Sequence, residues 1–275
     1  MSVDLKKKDY TLKKESELRC EVFENSSLTL KLLNGSAEIF GIELAPNKEY
    51  FFSDQNIAVF TWYGCVLETS GPENNAFYIA DSTPMVAYVN THMQLEARRD
   101  VALANSSGGP RVMVVGPTDS GKSTICQILS AYAVRLDRVP VYVDLDVGQG
   151  ALSIPGCVTA APLDKSCLSI EEGLANFTPL TYFYGQNSPK ENVELYKQVV
   201  SNLAAKINLR LEKDVDAKVS GLIVNTCGLT EGVGFDILLH CVQALSIDVV
   251  LVMSHDKLYS SLISSLDTRY DWIDL

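Results

Sequence analysis

The run Gly116-Pro117-Thr118-Asp119-Ser120-Gly121-Lys122-Ser123-Thr124 satisfies G-x-x-x-x-G-K-[S/T] in full and restricts the chain more than any other stretch does. Glycines in this pattern let the backbone wrap a polyphosphate and turn its N–H groups inward. A helix starting at the end of the loop adds further donors and a partial positive charge. The chemistry therefore needs a strand before the loop and a helix after it. Residues 112–115 form a short continuous apolar run, as expected of a strand buried on both faces. Ile125, Ile128, Leu129, Tyr132, Ala133 and Leu136 recur at helical spacing. On this reading Lys122 reaches the β- and γ-phosphates of a nucleoside triphosphate, and Ser123 ligates Mg²⁺ through its hydroxyl. The chain has no Asn-Lys-x-Asp stretch of the kind that reads guanine, so ATP is the expected nucleotide.

A triphosphate site also needs carboxylates. Val143-Asp144-Leu145-Asp146-Val147-Gly148-Gln149 supplies two on a predicted strand, and residues two apart share a face. Asp146 is closer to the strand's carboxyl end, where ligands bind in open α/β sheets, and is expected to accept a hydroxyl proton. Asp144 is expected at the Mg²⁺. Two more apolar runs end in polar residues, at Asn225-Thr226-Cys227-Gly228 and at Ser254-His255-Asp256. Thr226 either meets a substrate through its hydroxyl or belongs to a plain strand-to-loop turn.

The organisation splits in two. Short strand-like runs over 12–89, such as Ile57-Ala58-Val59-Phe60-Thr61-Trp62, are punctuated by turn signals at Asn34-Gly35, Pro46-Asn47, Ser53-Asp54 and Gly71-Pro72. They predict a small all-β domain of sandwich or barrel type. A short helix over 92–100, carrying Arg98 and Arg99 near its end, leads to Asn105-Ser106-Ser107-Gly108-Gly109. The expected division is an all-β domain over 1–98, a linker over 99–109, and an α/β domain with a mainly parallel sheet over 110–275. In the latter, strands are predicted at 141–146, 180–184, 222–225 and 249–253. Tyr196, Val199, Val200, Leu203 and Ile207 mark one helix, and residues 235–245 another.

Composition removes other classes. With 47% hydrophobic and 21% charged residues the chain is ordinary globular material, and no apolar run approaches the roughly 18 residues of a membrane span. An intracellular protein without a membrane association is expected. A formal charge of −11 argues against a broad surface that tracks nucleic-acid phosphates, so any nucleic-acid contact must be local. The Lys6-Lys7-Lys8 and Lys13-Lys14 clusters read as a solvated terminus. Seven scattered cysteines without a Cys-x-x-Cys pair predict neither a disulfide framework nor a zinc knuckle, and three distant histidines match no metal spacing.

The loop segment from Gly109 to Thr124, together with Val143-Asp144-Leu145-Asp146-Val147-Gly148-Gln149-Gly150 and Ser153-Ile154-Pro155-Gly156, resembles the eukaryotic 5′-hydroxyl polynucleotide kinase family. That family includes the ATP-binding subunit of pre-mRNA cleavage factor II. The resemblance continues in Ala37-Glu38-Ile39-Phe40-Gly41, in Tyr88-Val89-Asn90-Thr91-His92 and in Val224-Asn225-Thr226-Cys227-Gly228, and so covers nearly the whole chain. It implies transfer of the γ-phosphate of ATP to an RNA 5′-hydroxyl, in assemblies for mRNA 3′-end cleavage and polyadenylation and for tRNA splicing. The implied setting is the nucleus. Implied partners are the scaffold subunit of cleavage factor II, other 3′-end processing factors, the tRNA-splicing endonuclease and an RNA 5′ end.

By the same resemblance Asp119, Ser120, Gly121, Lys122, Ser123 and Thr124 bind the nucleotide, and Glu17 and Asn56 lie at its base. Asp146 and Lys122 are the catalytic pair, and Gln149 and Thr226 meet the substrate. The chain departs from the family pattern in three ways. Leu229 stands where the family has a tryptophan, Asn56 stands for a lysine, and the sequence stops at Leu275 with only Arg269 in its tail. An α/β domain incomplete at its carboxyl end is expected, and with it an alternative to the kinase: an ATP-bound scaffold that does not turn over.

Overall fold

A computed structural model describes residues 6–72, 75–266 and 271–274. Arg269 and Leu275 lie outside the described residues. The chain divides into two compact units, Met1–Val86 with Leu168–Ala175, and Ala87–Cys167 with Asn176–Leu275.

The first unit is a β-sandwich. Its strands are β1 (Lys6–Leu12), β2 (Ser16–Glu21), β3 (Ser27–Gly35), β4 (Glu38–Ile39), β5 (Ile42–Glu43), β6 (Glu49–Ser53), β7 (Asn56–Thr61), β8 (Cys65–Gly71) and β9 (Ala76–Ile79). They form an antiparallel four-stranded sheet, β1-β8-β3-β6, and a five-stranded sheet, β5-β4-β7-β2-β9. Alternation sets the inner face: Leu28, Leu30 and Leu32 of β3, Tyr50 and Phe52 of β6, Leu18 of β2 and Val59 of β7 share one core.

The second unit opens with α1 (Met85–Asn105), which corrects both the predicted short helix and the 99–109 linker. Residues 99–105 continue the helix, and residues 85–89, expected among the strands, belong to it. Its buried positions 85, 88, 91, 92, 95, 96, 99 and 102 follow one helical stripe, but the stripe includes Thr91, His92, Glu96 and Arg99. Arg99 is fully buried, with Nη1 on Glu96 at 2.6 Å and Nε donating to the Ser220 carbonyl at 2.9 Å. Arg138 holds the other oxygen of Glu96 at 2.9 Å. This network binds the helix into the α/β unit, so the boundary falls at its start.

After α1 come β10 (Arg111–Val115), α2 (Lys122–Arg135), β11 (Val141–Asp144), β12 (Cys157–Pro162), β13 (Leu168–Ser169), β14 (Gly173–Leu174) and β15 (Leu180–Phe183). The chain ends with α3 (Val193–Leu211), α4 (Val215–Ser220), β16 (Leu222–Asn225), α5 (Val233–Ala244), β17 (Val249–Val252), α6 (Asp256–Ser265) and β18 (Asp271–Asp274). The seven-stranded sheet has the order β15-β12-β11-β16-β10-β17-β18, parallel from β11 to β18, with β12 antiparallel to both its neighbours β11 and β15. Met113, Val115, Val143 and Val224 pack with α3, α5 and α6 on one face. The helix α2 contacts β10 and β16. Between β12 and β15 the chain leaves for the sandwich as the β13–β14 hairpin. There Glu171 accepts from the Phe51 amide at 2.7 Å, and Ile170 packs on the core.

Candidate active site

The order of the sheet decides where the chemistry collects. β16 inserts between β10 and β11, so the loop after β10, the turn after β11 and the turn after β16 meet at one carboxyl edge. An open cavity of about 480 Å³ lies there, with Lys122, Ser123, Asp146, Gln149 and Gly228 among its walls.

The loop keeps its donors free. Gly121 precedes α2 in the left-handed region at φ 86°, and no side chain caps the helix, so its first N–H groups are available to an anion. Asp119, Gly121, Ser123 and Thr124 line the cavity as expected. Ser120 is not among its walls; its hydroxyl donates to the Pro117 carbonyl at 2.9 Å and stiffens the loop. Lys122 donates to the same carbonyl at 2.6 Å. Burial lowers the pKa of its ammonium, and the Asp146 carboxylate acts against that. Free amides, a cation and a serine hydroxyl facing one cavity fit a Mg²⁺-bound triphosphate. Among the described residues no three His, Cys, Asp or Glu side chains gather to hold a metal ion. Ser123 would be the protein ligand of such a Mg²⁺, with the remaining ligands left to phosphate and water.

The two aspartates have different surroundings. β11 ends at Asp144, two residues short of expectation, because the Asp144 carboxylate turns the chain back on itself. It accepts from the amides of Asp146 at 3.0 Å and Ala151 at 2.5 Å, and from Asn225 Nδ2 at 3.2 Å. At 1% exposure it does not line the cavity, so direct ligation of Mg²⁺ by Asp144 is corrected to a bracing role. Asp146 does line it. Its Oδ1 accepts from the amides of Gly148 at 2.9 Å and Gln149 at 3.2 Å, which aims the carboxylate from a turn rather than from a strand. Tyr196 of α3 anchors the bend between the two by donating to the Leu145 carbonyl at 2.7 Å.

Thr226 is also corrected. It is buried and donates its hydroxyl to the Val114 carbonyl at 2.8 Å, so it joins strands rather than facing a substrate. The cavity is reached instead by Cys227, Gly228 and Leu229. Burial pushes the Cys227 thiol pKa up. Gly228 packs directly on the phosphate loop, where a Cβ would lie 2.3 Å from Thr118 Oγ1 and 2.5 Å from its amide nitrogen. Gly228→Ala is therefore expected to push the loop aside and weaken nucleotide binding by about tenfold or more, the usual size of an overpacking strain. A nucleotide titration beside a urea melt checks it; unchanged affinity contradicts the close contact.

Sequence reasoning missed the wall formed by Asn187, Ser188 and Pro189. Tyr184 builds it: its hydroxyl accepts from the Asn192 amide at 3.0 Å inside the turn. Only the Ser188-Pro189 turn signal was there to be read. Glu17 and Asn56 belong to the sandwich unit. Glu17 is buried and accepts from Arg19 Nε at 2.7 Å and Thr83 Oγ1 at 2.8 Å, whereas Asn56 is exposed at the start of β7.

Two buried groups of the α/β unit titrate in opposite senses. Burial raises Asp144 from 3.8 to about 6 against its hydrogen bonds, and burial lowers His92 from 6.5 to about 4. Between these limits folded Asp144 holds a proton that the unfolded chain has lost, so its share of stability falls as pH rises. Folded His92 lacks a proton that the unfolded chain holds, so its share rises with pH. Relative to wild type, Asp144→Asn is expected to gain stability from pH 4 to 6.5 and His92→Gln to lose it. Each difference is about 3 kcal/mol by the pKa displacement. Urea midpoints across that range check both signs.

The family described as "mRNA cleavage and polyadenylation factor CLP1 P-loop" matches residues 116–274, and the "N-terminal beta-sandwich domain of polyadenylation factor" matches residues 11–102. The chain belongs to the Clp1 family. It is 47% identical over 254 residues to the polyribonucleotide 5′-hydroxyl-kinase Clp1 of Rattus norvegicus and 46% identical over 254 residues to that of Homo sapiens. The match covers 92% of this chain and 59% of each of those Clp1 proteins. A Clp1 homologue of Brugia malayi is 44% identical over 260 residues. Among solved structures, Clp1p in its wild-type complex with a Pcf11p fragment superimposes with a TM-score of 0.85 at 24% identity, over 98% of this chain and 67% of that one. This last likeness bears on the Clp1 fold alone.

Proposed function

We propose that this Clp1-family chain binds ATP with Mg²⁺ and transfers the γ-phosphoryl group to the 5′-hydroxyl of RNA. Its setting is the pre-mRNA 3′-end cleavage and polyadenylation machinery of the nucleus. Partners on this reading are a cleavage factor II scaffold subunit of the Pcf11 kind, other 3′-end factors and the tRNA-splicing endonuclease. The observation that carries it is that Lys122, Ser123 and Asp146 open into one cavity at the carboxyl edge of the sheet. The loop amides and the Lys122 ammonium hold the phosphates, and Ser123 would hold Mg²⁺, which would supply neutralisation of the phosphate charge. Asp146 takes the proton of the attacking 5′-hydroxyl. As the new O–P bond forms, the bond from the γ-phosphorus to the bridging oxygen breaks and ADP leaves with that electron pair. Gln149, which lines the same cavity as Asp146, meets the acceptor on this reading, and Glu17 and Asn56 keep the base-side role that family membership suggests.

ATP labelled at the γ-phosphate, mixed with an RNA oligomer bearing a 5′-hydroxyl, tests the reading: label on the RNA supports it, and its absence at high protein concentration removes the kinase. One observation favours a second reading, an ATP-bound scaffold without turnover. Leu229 lines the cavity with an aliphatic side chain, and a base stacked on a ring there would contribute about 1 to 3 kcal/mol. Under that reading RNA stays unlabelled while affinity capture still recovers cleavage-factor subunits.

A further inference from the structure

Asn225 ends β16 and is fully buried. Because β16 lies between β10 and β11, Asn225 is level with Val114 on one side and Asp144 on the other. Its amide nitrogen donates to Ser123 Oγ at 3.3 Å and to Asp144 Oδ1 at 3.2 Å. Chemistry fixes that orientation. Asp144 Oδ1 already accepts from the Asp146 amide, so the donor end of the Asn225 amide is the end that can face an ionised carboxylate. Both amide hydrogens are thereby engaged, one by Ser123 of α2 and one by Asp144 of β11. The amide oxygen of Asn225 is left buried with no hydrogen-bond partner. A buried acceptor without a donor is unfavourable, so an amide kept here at that cost points to the work its donor end does between Ser123 and Asp144.

We propose that Asn225 is a positioning residue for the metal end of the bound nucleotide. It holds the Ser123 hydroxyl and the Asp144 carboxylate in one frame through the two hydrogens of its amide. The rotation of Ser123 is the quantity it controls. With one lone pair engaged by Asn225, the other is directed to the cavity that Ser123 lines. The same amide ties Ser123 to the turn that aims Asp146, since Asp144 also holds the amides of Asp146 and Ala151. This role rests on the ATP reading above and adds a residue to it that carries no charge and touches no phosphate.

The experiment is a titration of the whole chain with ATP, once in Mg²⁺ and once in excess chelator, for wild type, Asn225→Ala and Asn225→Ser. Serine is included because its hydroxyl and a water can fill the amide's space if alanine does not fold; thermal melts report folding for both. Affinity in Mg²⁺ is expected to fall about tenfold, the lower end of what losing a hydrogen bond behind a metal ligand does. Affinity in chelator is expected to move less than twofold, because the loop amides and Lys122 remain. Equal losses in the two conditions, or no loss in either, would overturn the role of Asn225 and leave the ATP reading standing. A wild type that binds neither form would instead remove the ATP reading, and the role with it.

Discussion

Lys122→Ala is expected to lower the affinity for ATP by at least about a hundredfold. The ammonium is the cation that faces the cavity from the first turn of α2, with Nζ held 2.6 Å from the Pro117 carbonyl. Charge-assisted hydrogen bonds to phosphate contribute roughly 1.5 to 3 kcal/mol each, and a hundredfold in affinity corresponds to about 2.7 kcal/mol. Alanine also leaves the negative Asp146 side chain facing the phosphates without its counter-charge. Alanine is a better helix former than lysine, and the core face of α2 is carried by Ile125, Leu129 and Ala133, so the melting temperature should barely change. Displacement of a fluorescent nucleotide measures the effect, and a loss smaller than threefold contradicts the role given to Lys122.

Asp146→Asn separates binding from transfer. Its Oδ1 accepts from the amides of Gly148 and Gln149, and an asparagine oxygen can do the same, so the turn and the cavity are expected to persist. An amide cannot take a proton from a hydroxyl. General-base catalysis commonly contributes about 10² to 10⁴ in rate, so label transfer to RNA should fall by that factor while ATP affinity stays within about threefold. Equal transfer by the variant would assign the proton to another group. If ATP affinity fell in parallel, the turn rather than the chemistry would have been lost.

The phosphate loop was legible because its pattern, its flanking strand and its flanking helix are all local in sequence, and the strands that border the cavity are short apolar runs. What local patterns could not supply was order across the sheet. That β16 inserts between β10 and β11, and so brings Asn225 beside Ser123 and Gly228 against Thr118, depends on pairing between residues about a hundred positions apart. The reading of Asp144 failed for a related reason. A strand's two-residue period puts Asp144 and Asp146 side by side, yet Asp144 is buried deeply enough to draw backbone amides to itself, and that ends the strand between them. The reading of Thr226 could not see that its hydroxyl is consumed by the neighbouring Val114. In α1 the apolar period was hidden because four of the buried positions are polar, and Arg99 is buried there only by virtue of Glu96 and the Ser220 carbonyl. The hairpin around Glu171 was invisible in the same way, since its contacts with Phe51 and Gln55 span more than a hundred residues.

Calorimetric titration of the wild-type chain with ATP in Mg²⁺ bears most directly on the claim that this cavity is a nucleotide site. Saturable heat with one nucleotide per chain, abolished by Lys122→Ala at equal protein concentration, is the predicted result. No saturable heat, or the same isotherm from Lys122→Ala, would contradict it.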